Sequence, residues 1–175
     1  LYYTEYSKDD SKTKQDYFVI YDTEKEKTAA KLGCDISVRS VDTDGDRFIL
    51  CGTDKQYNSF VEIIGKDGTV TNKINMSDGY KECFGDVWVS SSDVKVGIRD
   101  NKVRLYNKIG IIEKDLNEDE WKIVYKPTET VGDFSVGESS AAYVIKGDDS
   151  AAIGYIENDS YDMNYVKSGG ETARF

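Results

Sequence analysis

The chain has 175 residues, a formal net charge of -10 and no histidine. Its length suits one domain with its own core. The lack of histidine almost excludes enzymes built on histidine-dependent triads and the usual zinc sites. The basic residues are scattered singly, and such an acidic surface repels phosphate backbones and anionic lipid headgroups, so we expect neither nucleic acid nor membrane-surface binding.

The first predicted element is the strand-like run LYYTEY, and the chain begins inside it at Leu1 without an initiator Met. We therefore expect that an upstream segment has been removed or left out. The acidic, tyrosine-rich composition is compatible with an extracytoplasmic protein, either secreted or tethered to a bacterial surface. No apolar run reaches the roughly 18 residues that a membrane-spanning helix needs, so we expect no membrane insertion within this segment.

A two-strand segment then occurs four times. Each copy is a short apolar strand, a polar turn and a second strand that ends on an apolar residue. The copies start about 42 to 50 residues apart, which is the period of four-stranded repeat units. They run over residues 18–32, 60–74, 103–116 and 153–166.

Further strands are predicted ahead of each copy. RFILCG, VKVGIR and AAYVIKG alternate or are apolar, and DISVRSV, DVWVS and DFSVG precede them. DVWVS predicts a strand over Asp86–Ser90. Helix signals are nearly absent, so the sequence predicts an all-β chain whose strands are joined by hairpins.

On these repeats the chain resembles the β-propeller superfamily, in the company of WD40-like, YVTN-like and TolB-like repeats. The resemblance implies one β-propeller domain of about four antiparallel blades, or a four-blade portion of a larger propeller, with ligands at one end of a central channel. The blades would cover approximately residues 1–32, 34–74, 86–116 and 131–166. Residues 169–175 lie where a strand closing the first blade would lie.

Residues 117–130 interrupt the period and carry Trp121, Tyr125 and the only proline, Pro127. WKIVYK alternates, so it predicts an added strand that ends at Pro127. The insertion either enlarges a binding surface or lets Trp121 cover the gap between two blades.

Few residues suggest chemistry. Alternate carboxylates at Asp42, Asp44 and Asp46 could hold a hard cation, but the loop departs from an EF-hand and an ordinary hairpin turn is the preferred interpretation. The odd count of three cysteines without a CxxC pair suggests no zinc site, and we expect no cofactor. Whether any two cysteines are bridged stays open.

The sequence therefore predicts a non-enzymatic binding or scaffold module that presents a propeller face to a protein or carbohydrate partner. Trp121, Tyr125, Tyr57 and Tyr80 are its candidate contact residues. Two alternatives stay open. One is a glycan-active propeller enzyme using paired carboxylates, and the other is a structural repeat that completes a ring with another chain.

Overall fold

The computed structural model describes residues 1–6, 16–137, 140–146, 151–157 and 160–168. The closing strand predicted for residues 169–175 lies outside the described residues. Within them the predicted all-β class is confirmed.

The strands form four antiparallel sheets, each built from consecutive strands. The first sheet contains β1 (Tyr2–Tyr6), β2 (Asp16–Asp22) and β3 (Lys27–Cys34). The second contains β4 (Ser37–Thr43), β5 (Arg47–Thr53), β6 (Ser59–Gly65) and β7 (Val70–Asn75). The third contains β8 (Lys95–Arg99), β9 (Lys102–Asn107), β10 (Gly110–Asp115) and β11 (Lys122–Tyr125). The fourth contains β12 (Val131–Val136), β13 (Ser140–Lys146), β14 (Ala151–Glu157) and β15 (Ser160–Ser168).

All four repeated segments form antiparallel hairpins, but not the same hairpin of each sheet. They are β2 with β3, β6 with β7, β9 with β10 and β14 with β15. In three sheets the repeat supplies the last two strands. In the third sheet it supplies the two middle strands, because β11 follows as the outer strand, where WKIVYK predicts a strand.

The sheets pack face to face in series. Three buried clusters join the first sheet to the second, the second to the third and the third to the fourth. Burying each such aliphatic or aromatic side chain contributes about 1.5–3 kcal/mol. Representative buried residues of the three clusters are, in order, Phe18 and Leu50, Ile63 and Leu105, and Ile111 and Tyr143.

A helix between the second and third sheets was not expected. Helix α1 (Met76–Phe84) starts at Asn75, whose side chain accepts a hydrogen bond from the Ser77 N–H, and it ends at Gly85 with φ of 81°. A single turn of 3-10 helix, η1 (Ser91–Asp93), follows. The strand predicted over Asp86–Ser90 is therefore wrong, because this part of the chain is the irregular connection between α1 and η1.

The apolar face of α1 explains why the helix forms. Met76 and Tyr80 are one helical turn apart and are both fully buried against the second and third sheets. Among the described residues, no helix has the length and apolar character needed to cross a membrane.

Candidate functional site

The first strands of the second, third and fourth sheets, β4, β8 and β12, lie at one edge of their sheets and are called the inner strands here. Together with β9 they line a cleft of ≈ 910 Å³, the inner-strand cleft. Because three sheets contribute to it, the cleft exists only when the sheets are packed together.

The inner-strand cleft is basic although the chain is acidic. Two carboxylates, Asp42 and Asp100, line it together with five basic side chains. The basic side chains are Arg39, Lys95, Arg99, Lys102 and Arg104. Five of the 23 basic residues are thus gathered into one patch, although the sequence has them scattered singly.

Strand pairing places four of these cations on one face. In the β8–β9 pair, Lys95 lies opposite Tyr106, Gly97 opposite Arg104 and Arg99 opposite Lys102. Successive side chains of a strand point to opposite faces, so these residues share the face that Val96 and Ile98 do not use. Val96 and Ile98 are buried against the second sheet, so the basic face is turned away from that core.

Gly97 leaves the middle of this face flat. A Cβ added at Gly97 would lie 3.3 Å from Tyr106 Cε2 and 3.6 Å from Asp42 Oδ2. The Tyr106 ring therefore lies over the β8 backbone at Gly97, and the missing side chain of Gly97 leaves the room that this ring occupies between Lys95 and Arg99.

The edge of β8 that does not pair with β9 is not available for another strand. The Val96 N–H donates to Ser40 Oγ at 3.3 Å, and the Ile98 N–H donates to Asp42 Oδ2 at 3.0 Å. Both acceptors are side chains of β4, which occupy backbone groups that an exposed edge strand would offer to another chain. A ligand in the cleft must therefore be recognised mainly by side chains.

Glu113 on β10 holds two of the cations. Arg104 Nε lies 2.6 Å from Glu113 Oε2, and Lys102 Nζ lies 3.1 Å from Glu113 Oε1. The hydrogen bond to Glu113 raises the pKa of Lys102. One carboxylate shared by two cations orients both and neutralises only part of their charge.

The acidic turn does not assemble a metal site. Asp42 accepts the Ile98 N–H, and Asp46 pairs with Lys66 at 2.8 Å. Burial alone would raise the pKa of Asp44, but hydrogen bonds from Arg47 outweigh it and lower the pKa. The three carboxylates have separate partners, and the described residues contain no group of three or more histidine, cysteine or acidic side chains that could hold a metal ion.

Two of the aromatic residues predicted as contacts are buried. Tyr80 is fully buried, which raises its pKa, and Trp121 is 9% exposed. A Cβ added at Gly79 would lie 2.6 Å from Trp121 Cε2, so the indole packs directly on α1. In this structure both side chains fill the core between the second and third sheets, and neither offers a ring to a partner.

The other two predicted contacts lie apart from them. Tyr57 is 89% exposed in the turn between β5 and β6, with φ of 67°. Tyr125 is half-buried on β11, with its ring centroid 5.6 Å from that of Tyr143. The structure brings Tyr80 and Trp121 together in one core, and it joins neither of them to Tyr57 or Tyr125 in a common surface.

Sequence reasoning missed the exposure of Trp88. Its side chain is 82% exposed, while Val89 is buried. The alternation in Val87-Trp88-Val89 indicated that the indole faces away from its neighbours. It did not indicate that the other face is open to solvent.

No protein-family model and no curated protein matches the chain. Among solved structures, it resembles Kluyveromyces lactis Hsv2p at 12% identity and a TM-score of 0.52, covering 91% of this chain and 50% of that one. It also resembles a chain of a nidogen/laminin complex at 5% identity and a TM-score of 0.53, covering 96% of this chain and 62% of that one. It further resembles KlAtg21, solved in complex with the coiled-coil of AgAtg16, at 14% identity and a TM-score of 0.53, covering 98% of this chain and 54% of that one.

These likenesses concern the fold. They confirm that the four sheets have a β-propeller fold, and they indicate no specific family. The chain spans about half to three fifths of the length of these three structures.

Proposed function

We propose that the chain is a non-enzymatic binding module that receives a segment of a protein partner in the inner-strand cleft. The observation that carries the proposal is the cleft itself, with ≈ 910 Å³ of space lined by strands of three sheets. Propeller blades surround a central channel, and the inner strands meet at one side of such an arrangement.

Two further observations support a protein partner. The fold is one that serves as a protein-binding scaffold. KlAtg21, which shares it, is solved in complex with the coiled-coil of AgAtg16.

Asp42, one of the two cleft carboxylates, is already bonded to the β8 backbone, so the described cleft does not favour paired-carboxylate chemistry on glycans.

Selection of peptides from a random library on the immobilised chain tests this proposal. Selected peptides should bind the Gly97→Leu variant at least about tenfold more weakly, because the new side chain displaces the Tyr106 ring and crowds the cleft. Gly137→Leu, at the residue that follows β12, is a second obstruction in case Gly97→Leu does not fold. Circular dichroism checks the folding of both variants.

The matched control is Val70→Leu, which enlarges an exposed side chain on the outer strand β7 of the second sheet. Selected peptides should keep their affinity for this variant. Enrichment of no peptide, or equal binding to the folded cleft variants and to the control, would contradict the proposed function.

A further inference from the structure

We propose that the inner-strand cleft selects an extended acidic peptide segment whose two key carboxylates are four residues apart. This inference rests on the proposed function and adds the chemistry of the partner.

The charge of the cleft opposes that of the whole chain. Five cations and two carboxylates line it, in a chain whose formal net charge is -10. Arg39 and Lys95 are exposed and have no ion-pair partner among the described residues. Their charge is available to a ligand, and the opposite sign of the remaining surface concentrates the attraction at the cleft.

The spacing of the cations along β8 sets the spacing in the ligand. Lys95 and Arg99 lie on the same face with Gly97 between them, and four residues of a strand span about 13 Å. An extended peptide lying along β8 presents carboxylates about 13 Å apart when they are four residues apart on one face. The Tyr106 ring over Gly97 gives the peptide backbone an aromatic surface between the two ion pairs.

The ligand is held by its side chains because β8 cannot add a strand. Ser40 and Asp42 already accept the N–H groups of Val96 and Ile98. Specificity therefore depends on charge-assisted hydrogen bonds, which arginine and lysine make with carboxylates. Glu113 keeps Lys102 and Arg104 oriented beside them.

A short acidic segment fits this cleft better than a long polyanion. Nucleic acid and anionic bilayers extend well beyond a cleft of ≈ 910 Å³ and would meet the acidic surface around it. A peptide with a few carboxylates places all of its charge inside the basic patch.

Fluorescence anisotropy with dye-labelled synthetic peptides on the full chain tests the inference. The probe peptide carries two glutamates separated by three serines. Its comparison peptides are a twin with two glutamines and an isomer with adjacent glutamates. The probe should bind at least about tenfold more tightly than the glutamine twin and more tightly than the isomer, and the advantage should shrink from about 50 to about 200 mM salt.

Matched charge variants locate the binding. The double variant Lys95→Gln and Arg99→Gln, which removes the two cations that set the spacing, should lose most of the advantage of the probe. The double variant Lys27→Gln and Lys55→Gln removes two exposed lysines outside the cleft and should keep it. Equal losses in both variants would overturn the inference, because they would show that the peptide is attracted by the charge of the chain in general and not by the cleft.

Other outcomes overturn the inference in distinguishable ways. Equal binding of the probe and its glutamine twin, or tighter binding of single-stranded DNA or phosphatidylserine vesicles than of the probe, would reject an acidic peptide as the ligand. If library peptides bind the folded Gly97→Leu variant more weakly but lack acidic residues, the proposed function stands and this inference fails. If the folded Gly97→Leu variant binds the library peptides as well as the unchanged chain does, the proposed function itself fails.

Discussion

Asp42 belongs to an acidic turn, but its side chain has a structural role. Its Oδ2 atom accepts the N–H of Ile98, which lies 56 residues further along the chain. The bond ties the inner strand of the second sheet to that of the third. An edge amide that would otherwise be unpaired is thereby satisfied, and the two strands that line the cleft are held together.

Replacing Asp42 tests this link at the scale of one residue. Asp42→Ala should lower the free energy of unfolding by about 1–3 kcal/mol, because the Ile98 N–H is left without its acceptor. Urea denaturation measures the change. Asp42→Asn keeps an acceptor oxygen and should cost about 1 kcal/mol or less. Equal effects of the two substitutions would show that the charge of Asp42 matters rather than its hydrogen bond.

The basic residues of the cleft were visible in the sequence, but their meeting was not. Lys95, Gly97 and Arg99 alternate with Val96 and Ile98, so their common face follows from the two-residue period of a strand. That Arg39, more than fifty residues earlier, lines the same cleft depends on the packing of β4 beside β8.

At the scale of elements, α1 shows local and tertiary signals working together. Asn75 and Gly85 are ordinary capping residues, and Met76 with Tyr80 forms only a narrow apolar face. A nine-residue helix is marginal alone. It forms here because both buried side chains enter the core between the second and third sheets.

The indole of Trp121 packs against α1 at Gly79 and leaves no room there for a side chain. Gly79→Ala would ordinarily stabilise a helix interior by about 0.5–1 kcal/mol. Here a Cβ would lie 2.6 and 2.8 Å from two indole atoms of Trp121, and overpacking of this kind costs about 1–3 kcal/mol. We therefore expect net destabilisation in urea denaturation.

A double-mutant cycle separates the two effects at Gly79. In a Trp121→Leu background the indole is gone, so Gly79→Ala should become neutral or stabilising. Destabilisation of the same size in both backgrounds would show that the glycine is needed for another reason than contact with Trp121.

For the whole molecule, we expect low pH to destabilise the fold, because carboxylates that stabilise its turns become protonated. Backbone hydrogen bonds, from the Lys25 N–H to Asp22 and from the Thr69 N–H to Asp67, lower the pKa of these carboxyls. Burial alone would raise the pKa of Asp54, but hydrogen bonds from Asn58 outweigh it and lower the pKa. A pKa below its unfolded value of 3.8 stabilises the folded state above that pH, and this stability is lost as the pH falls through the folded pKa.

The urea midpoint should therefore fall as the pH is lowered from about 5 to about 3. The fall should be shallower when Asp54 and Asp67 are both changed to asparagine. Asp86→Asn, in the exposed connection after α1, is the control and should leave the slope unchanged. The window lies around and below the isoelectric point of ≈ 4.6, so relief of the net negative charge does not account for a loss of stability there. A slope unaffected by the double change would contradict this account.

The sequence by itself determined the all-β class, the four hairpins and the absence of histidine, because strand alternation, turn residues and composition are local properties. Only the tertiary structure decided that Tyr80 and Trp121 are buried and that Tyr57 and Trp88 are exposed. It also decided that the third sheet starts at Lys95 and that scattered cations line one cleft. Burial and charge clustering depend on which faces of distant strands meet, and no local pattern encodes that meeting.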